Sequence, residues 1–490
     1  MHDTTKPNNN QPQAQEHVDV LIVGAGLSGI GAAYHLQTKC PQKSFAIVEA
    51  RENLGGTWDL FRYPGIRSDS DMYTLGYSFR PWVEEKSIAA GPRILNYLRE
   101  TAAEHGIDNK IRFNTRVVKA SWSSGDSQWT VEMEQGGSRA TITCGFLFMC
   151  SGYYRYDEGY LPQFPGVEKF SGQVIHPQKW PDALDYKNKR VVVIGSGATA
   201  VTLVPEMAKD AAHVTMLQRS PTYVVSRPGD DPFARFLRGI SPKLAWHMTR
   251  WRNVMMQLYF YKLCRRNPER AKNMILGAAK KELPEGYVET HFTPRYNPWE
   301  QRLCLIPDGD MFKAINAGKA EVVTSAIDTF TKDGIRLADG RELPADIIVT
   351  ATGLNLQVLG GMQIVVDGKS VDMAQTLNYK GMMFSGIPNM ASIFGYINAS
   401  WTLRSDLTSE YVCRLLNYMD EHRFTQCTPV ADASVNAQPW VDFSSGYLTR
   451  SEAMMPKQGT KTPWTLTQNY ARDIVSLRYG KVDDGVMAYR

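Results

Sequence analysis

An α/β fold with two Rossmann-like dinucleotide-binding domains and a helical insertion is what the sequence predicts, on three observations. An apolar run, Val18–Val23, passes straight into Gly24-Ala-Gly26-Leu-Ser-Gly29. A second, Arg190–Ile194, passes into Gly195-Ser-Gly197-Ala-Thr-Ala200. Between 221 and 301 these patterns give way to Met-, Trp- and Arg-rich helical character.

In the first unit a helical pattern follows the glycines through Leu36, then a second strand at Ser44–Val48, which makes a βαβ unit. Glu49 ends that strand, 20 residues beyond Gly29. In this context the glycines permit a tight turn and bring backbone N–H groups to a pyrophosphate at the helix N-terminus, while the acid accepts ribose hydroxyls. Turn glycines beside a surface glutamate are the plain alternative, which the spacing disfavours. A helix opening at Pro92 runs to about Glu104, and short alternating strands follow from about Ile111 to Met149.

The second unit ends at Val214–Leu217, and its third fingerprint position is Ala200. Where the first unit has an acid, this one has Gln218-Arg219-Ser220. A carboxylate there would repel a 2′-phosphate, whereas a guanidinium and a hydroxyl bind one. The first site therefore suits FAD or NAD and the second NADPH; the alternative for Arg219 is a solvated surface cation. Two dinucleotide sites in one chain imply that a hydride passes from nicotinamide to flavin.

Strand patterns return at Glu321–Val323 and Ile347–Thr350, and a long helix is expected at Ser405–Met419. The expected division is a disordered polar tail over 1–17, an FAD domain from 18–152 and 353–490, an NADP domain from 153–220 and 302–352, and the helical insertion over 221–301. Within the insertion, Trp246–Arg266 is amphipathic and basic. It reads either as a membrane-surface helix or as one packed on its neighbours, and packing is the reading adopted.

The balance of 55 basic and 50 acidic residues leaves a net charge of +5, scattered along the chain, so nucleic acid is not an expected partner. No apolar run reaches the ~18 residues of a membrane span. Seven dispersed cysteines form no C-x-x-C pair and no metal-ligand spacing, which suits a reducing, cytoplasmic setting without a metal. Lacking a redox dithiol, the chain fits poorly with disulfide reductases. A second class lets its reduced flavin react with O2.

Here a resemblance enters. Phe170-Ser-Gly172-Gln-Val-Ile-His176-Pro-Gln-Lys-Trp180-Pro181 matches, at every fixed position, the F-x-G-x-x-x-H-x-x-x-W-P fingerprint of type I Baeyer–Villiger monooxygenases. Gly55-Gly-Thr-Trp58, Arg62-Tyr-Pro-Gly65 and Asp69 resemble the family's flavin-proximal loop, and Ala351-Thr-Gly353 its return crossing. From about Val18 onward the chain is similar to the ethionamide-activating subgroup. The resemblance implies FAD contacts at Gly24, Gly26, Ser28, Gly29, Glu49, Thr57, Trp58, Asp59 and Asp69, with a backbone contact at Val117. It implies NADPH contacts at Ser196, Gly197, Ala198, Thr199, Ala200, Arg219 and Ser220. The catalytic arginine falls on Arg302, paired with Asp69, unless the two form only a structural ion pair. Many members place Lys before that arginine; Gln301 stands here, so Arg219 carries more of the preference for NADPH.

The implied reaction consumes NADPH and O2 and converts a small apolar ketone to an ester or lactone through a C4a-peroxyflavin, with sulfides or thioamides as secondary substrates. A guanidinium suits it, since it stays protonated while negative charge develops on the reacting oxygens. An enzyme that oxygenates only sulfur or nitrogen has no need of Arg302, and an oxidase would release H2O2. For His176 and Trp180, a part in domain movement and simple packing in a linker are both open. Met255–Tyr261 and Met382–Phe384 either line a substrate pocket or fill a core.

Overall fold

The computed structural model describes residues 16–301, 303–441 and 445–490. The first unit is built from β1 (His17–Val23), α1 (Leu27–Lys39), β2 (Phe45–Val48) and α2 (Gly91–Glu104). An antiparallel meander follows: β3 (Thr115–Ser123), β4 (Gln128–Gln135) and β5 (Ser138–Met149). β1 lies between β2 and β5, parallel to both. From Val20 to Val23 it is buried on both faces, which is why that stretch reads as a continuous apolar run without alternation. Among the described residues the sheet has nine strands.

Of the tail expected over 1–17, residues 1–15 lie outside the described residues, and His17 belongs to β1. The Thr143 N–H donates to the Glu16 carbonyl at 2.9 Å, and the Glu16 carboxylate pairs with Arg112. Pairing with β5 carries order past the end of the apolar run.

The second unit contains β6 (Arg190–Ile194), α3 (Ala198–Met207) and β7 (His213–Gln218). The insertion follows, with α4 (Pro242–Arg266) as its longest helix. It is not wholly helical: it opens with the short strand Val224–Arg227, parallel to Cys304–Pro307. The chain then supplies β8 (Ala320–Thr324) and β9 (Ile347–Thr350). The resulting five-stranded parallel sheet runs β8-β7-β6-β9, with Gln173–Ile175 at its far edge. An antiparallel ribbon of Tyr154–Gly159 and Leu354–Leu356 joins the two units.

The long helix expected from Ser405 is α5 (Trp401–His422), which packs on α1 through a shared core of Leu36, Leu403, Leu407 and Tyr411. No described helix is long and apolar enough to cross a membrane.

Candidate active site

Sterics dictate the first glycine turn. Gly24 has φ +106°, and a Cβ there would lie 2.6 Å from the Cys150 carbonyl oxygen. A Cβ on Gly29 would lie 1.9 Å from the Gly24 carbonyl oxygen, so the third glycine is required by helix–strand contact. Gly26 precedes α1 with no side-chain cap and no acid in the first turn, which leaves the first N–H groups of the helix for an anion. At the end of β2, Glu49 accepts the Ala25 N–H at 2.8 Å on one oxygen and the Arg51 N–H at 3.0 Å on the other. Each oxygen keeps a lone pair for a ribose hydroxyl. Burial pushes the Glu49 carboxyl above its ordinary range, with these two backbone bonds opposing.

Beneath this turn opens a cavity of about 510 Å³. Gly24, Gly26, Ser28, Glu49, Thr57, Trp58, Asp69 and Val117, all among the expected FAD contacts, line it. Val117 reaches the wall at a β-bulge, where the pairing of β3 with β4 shifts register. Ala198, Thr199 and Thr202 of α3 complete the wall from the second unit. Gly29 and Asp59 are not among the lining residues. Asp59 is buried and pairs with Arg51 at 2.8 Å, and Arg51 itself lines the cavity.

Several lining residues had no signal in spacing. Trp401 Nε1 donates to Ser28 Oγ at 2.8 Å, fixing a hydroxyl in the first turn of α1 from the start of α5. Tyr63 is buried, which pushes its phenol up to about 12 against the opposing influence of the Thr199 hydroxyl. Phe61 and Tyr63 share a core with Val193, Ala200 and Val204 of the second unit. A Cβ on Gly65 (φ +75°) would lie 2.9 Å from Glu206 Cβ. The loop that follows Trp58 is thus docked on α3.

The second fingerprint repeats the first turn. Gly195 has φ +134°, and its Cβ would lie 2.3 Å from the Ala351 carbonyl oxygen. Gly197 precedes α3 with no side-chain cap and no first-turn acid, and a Cβ on it would meet nothing within 4 Å. Ala200 is buried against the sheet, while Arg219 and Ser220 are exposed at the end of β7. Ser196, Gly197, Ala200, Arg219 and Ser220 do not line the cavity; Ala198 and Thr199 do.

Arg302, the expected catalytic residue, lies outside the described residues. Its neighbour Gln301 bridges to Pro298, and Leu305, three positions on, lines the cavity.

Phe170, Gly172, His176, Trp180 and Pro181 do not line it. Phe170 meets Phe330 edge-on, and Trp180 leans on the core of the second unit. The Gln178 N–H donates to His176 Nδ1 at 3.2 Å, so the proton sits on Nε2, which donates to the Gly353 carbonyl at 3.2 Å. The same carbonyl accepts from the Tyr160 N–H at 3.0 Å. Burial holds the imidazole below its ordinary pKa. His176 thus ties both arms of the joining ribbon to the edge of the parallel sheet. Met382, Met383 and Phe384 are core residues, whereas Met255 and Met256 face outward; none lines the cavity.

Comparison with known proteins adds to this geometry. A model of the flavin-binding monooxygenase-like family matches residues 87–359, and one of NAD(P)-binding Rossmann-like domains matches residues 22–84. The FAD-containing monooxygenase EthA of Mycobacterium tuberculosis is 58% identical over 473 residues, covering 96% of this chain and 97% of its own. The probable FAD-binding monooxygenase AlmA of an Acinetobacter species is 48% identical over 480 residues, covering 97% of each. Among solved structures, cyclohexanone monooxygenase from Rhodococcus sp. Phi1 bound to NADP+ superposes with a TM-score of 0.78 at 20% identity. The match covers 97% of this chain and all of that one, so the two share a fold. A cavity walled by two glycine-turn units, together with these relationships, establishes that the chain belongs to the flavin-binding monooxygenase-like family, alongside the FAD-containing monooxygenases of the EthA type.

Proposed function

We propose that this enzyme uses NADPH and O2 to insert an oxygen atom beside the carbonyl of a small apolar ketone, giving an ester or lactone, with sulfides or thioamides as secondary substrates. The observation that carries this reading is the shared cavity, whose wall combines the first glycine turn and Glu49 with Ala198, Thr199 and Thr202 of the second unit. Its cofactors are FAD and NADPH. The residues present fit both: two uncapped helix starts behind glycine turns, a buried carboxylate with lone pairs to spare after β2, and a cation with a hydroxyl after β7.

When bound, the two cofactors supply a hydride and the reduction of O2. The chain supplies the rest. The N–H groups opening α1 and α3 hold the diphosphates, Glu49 accepts ribose hydroxyls, and Arg219 with Ser220 holds the 2′-phosphate. Trp58, Tyr153, Leu354, Leu359 and Trp401 supply apolar wall around the site of reaction. Arg302 stabilises the negative charge that builds on the ketone oxygen, and Asp69 orients it. In domain terms, 18–152 and 353–490 hold FAD, 153–220 and 302–352 hold NADPH, and 221–301 form the insertion. The burial of the cysteines among the described residues, with no C-x-x-C pair in the sequence, supports action in the cytoplasm.

The test is product analysis on a ketone panel with the Arg302→Ala variant. NADPH should still bleach the flavin while ester formation falls by about a hundredfold or more, as for loss of an electrostatic donor. Wild-type ester yield in that variant would remove the assignment. Sulfoxide without ester from the wild type would move the enzyme to the sulfur- and nitrogen-oxygenating class, and H2O2 without either product to the oxidases.

A further inference from the structure

The helix α4 has two faces of opposite character. Ala245, Trp246, Thr249, Arg250, Val254 and Leu258 are buried against the body of the protein. Leu244, Met248, Trp251, Met255 and Tyr259, spaced by four, three, four and four residues, share the outer face and are all exposed, Tyr259 by 65%. This spacing makes a continuous stripe on a helix. Phe236 and Ile240, in the segment leading into α4, are 71% and 66% exposed as well. Exposed apolar side chains are ordinary when scattered, but five in register on one helix face are not.

Charge identifies the occupant. From Pro232 to Arg266 the chain carries Arg235, Arg238, Lys243, Arg250, Arg252, Lys262, Arg265 and Arg266, and no Asp or Glu. These eight cations exceed the net charge of +5 for the whole chain. Some are engaged in the fold: Arg250 donates to the carbonyls of Tyr73 and Gly76 at 2.7 and 2.9 Å, Arg252 pairs with Asp231, and Arg235 with Asp230 and Glu85. Lys243 near one end of α4, and Lys262 and Arg266 at the other, are exposed beside the apolar stripe. An apolar band carrying Trp and Tyr, with exposed cations at both ends and no acid on α4 itself, matches the interfacial zone of an anionic bilayer.

We propose that α4 lies in the plane of an anionic phospholipid membrane, its 25 residues providing about 37 Å of contact, and docks the enzyme there peripherally. The buried side of the same helix supports this geometry. Arg250 clamps the turn Met72–Leu75, and Leu75 lines the cavity, so the docked helix rests on a segment of the cavity wall.

The test is sedimentation of the FAD-loaded enzyme with vesicles of phosphatidylcholine, with and without phosphatidylglycerol, at low and high salt. The wild type should bind the mixed vesicles at least tenfold more tightly than phosphatidylcholine alone, and salt should reduce the difference. Met248→Asp/Met255→Asp/Tyr259→Asp should lose binding tenfold or more while flavin content and NADPH oxidation stay unchanged, since all three side chains are exposed. A Lys243→Glu/Lys262→Glu variant keeps the stripe and should lose only the phosphatidylglycerol dependence. The proposal fails if the wild type ignores mixed vesicles or if the triple variant binds them normally. It also fails if sedimentation equilibrium shows the triple change breaking a stable dimer with no loss of vesicle binding, which would assign the stripe to a second copy of the chain.

Discussion

The two glycine turns solve the same steric problem with different tolerance. Gly24 closes on the Cys150 carbonyl and Gly195 on that of Ala351, each at positive φ, each at the end of the central strand of a parallel arrangement. They part at the third position. Gly29 has no room for a methyl group, while Ala200 has one and buries it. They differ too at the end of the next strand, where the first unit places a buried carboxylate and the second an exposed guanidinium. On the assignment proposed above, with FAD at the first turn and NADPH at the second, the buried acid suits a ligand that stays and the exposed cation one that exchanges.

The sharpest way to break the comparison is to exchange the third positions. Gly29→Ala should cost about 3 kcal/mol by overpacking and leave the purified protein largely without flavin. Ala200→Gly should cost about 1 kcal/mol, from helix propensity, and keep its flavin. Absorbance at the flavin band measures both, and equal flavin content in the two variants would end the distinction. Next in size, Arg219→Ala should raise the KM for NADPH ten- to a hundredfold, the loss of a charge-assisted bond of about 1.5–3 kcal/mol, without changing that for NADH. With Gln301 in place of a lysine, no nearby residue is expected to make up the loss. A strong NADPH preference surviving the change would show that the 2′-phosphate is held elsewhere.

A smaller effect belongs to Trp401→Phe, which frees the buried Ser28 hydroxyl and should weaken flavin retention by about 1 kcal/mol. Titrating the apoprotein with FAD reads this directly. The smallest concerns His176, whose role is in neither turn but in the ribbon between them. Its pKa is held below the ordinary histidine value of about 6.5. Its contribution to stability is therefore full above that pH and is lost as pH falls through the depressed folded value. Protonation puts a hydrogen on Nδ1, facing the Gln178 N–H. His176→Gln should flatten this acid limb of the Tm profile by less than about 1 kcal/mol; an unchanged limb would mean that the ribbon is held by other bonds.

Both turns were legible in the sequence because each is a local pattern, strand then glycines then helix, with its deciding residue at a fixed distance. The remainder of the cavity wall was not, because tertiary packing alone brings it together. Trp401 reaches Ser28 across 373 positions, and Arg51 enters the wall because Asp59 holds it there. Asp59, an expected FAD contact, is buried and pairs with Arg51, which lines the cavity. The opening strand of the insertion, Val224–Arg227, went unread because four residues are too few for a period and its partner lies beyond the helices. At α4, amphipathicity was plain in the sequence, but burial decided which half was packed and which left bare.

The docking of Tyr63 and Gly65 on α3 has a further consequence. By sequence this loop belongs to the first unit; by packing it belongs to the second. Two bodies joined only by a ribbon could rotate independently, but a strap sewn into the far side forbids it. On the proposed assignment of cofactors, any shift of the second unit on gripping NADPH would carry with it the segment that places Asp69 in the cavity wall. The flavin's own spectrum should then register the arrival of NADP+, even when no hydride is transferred.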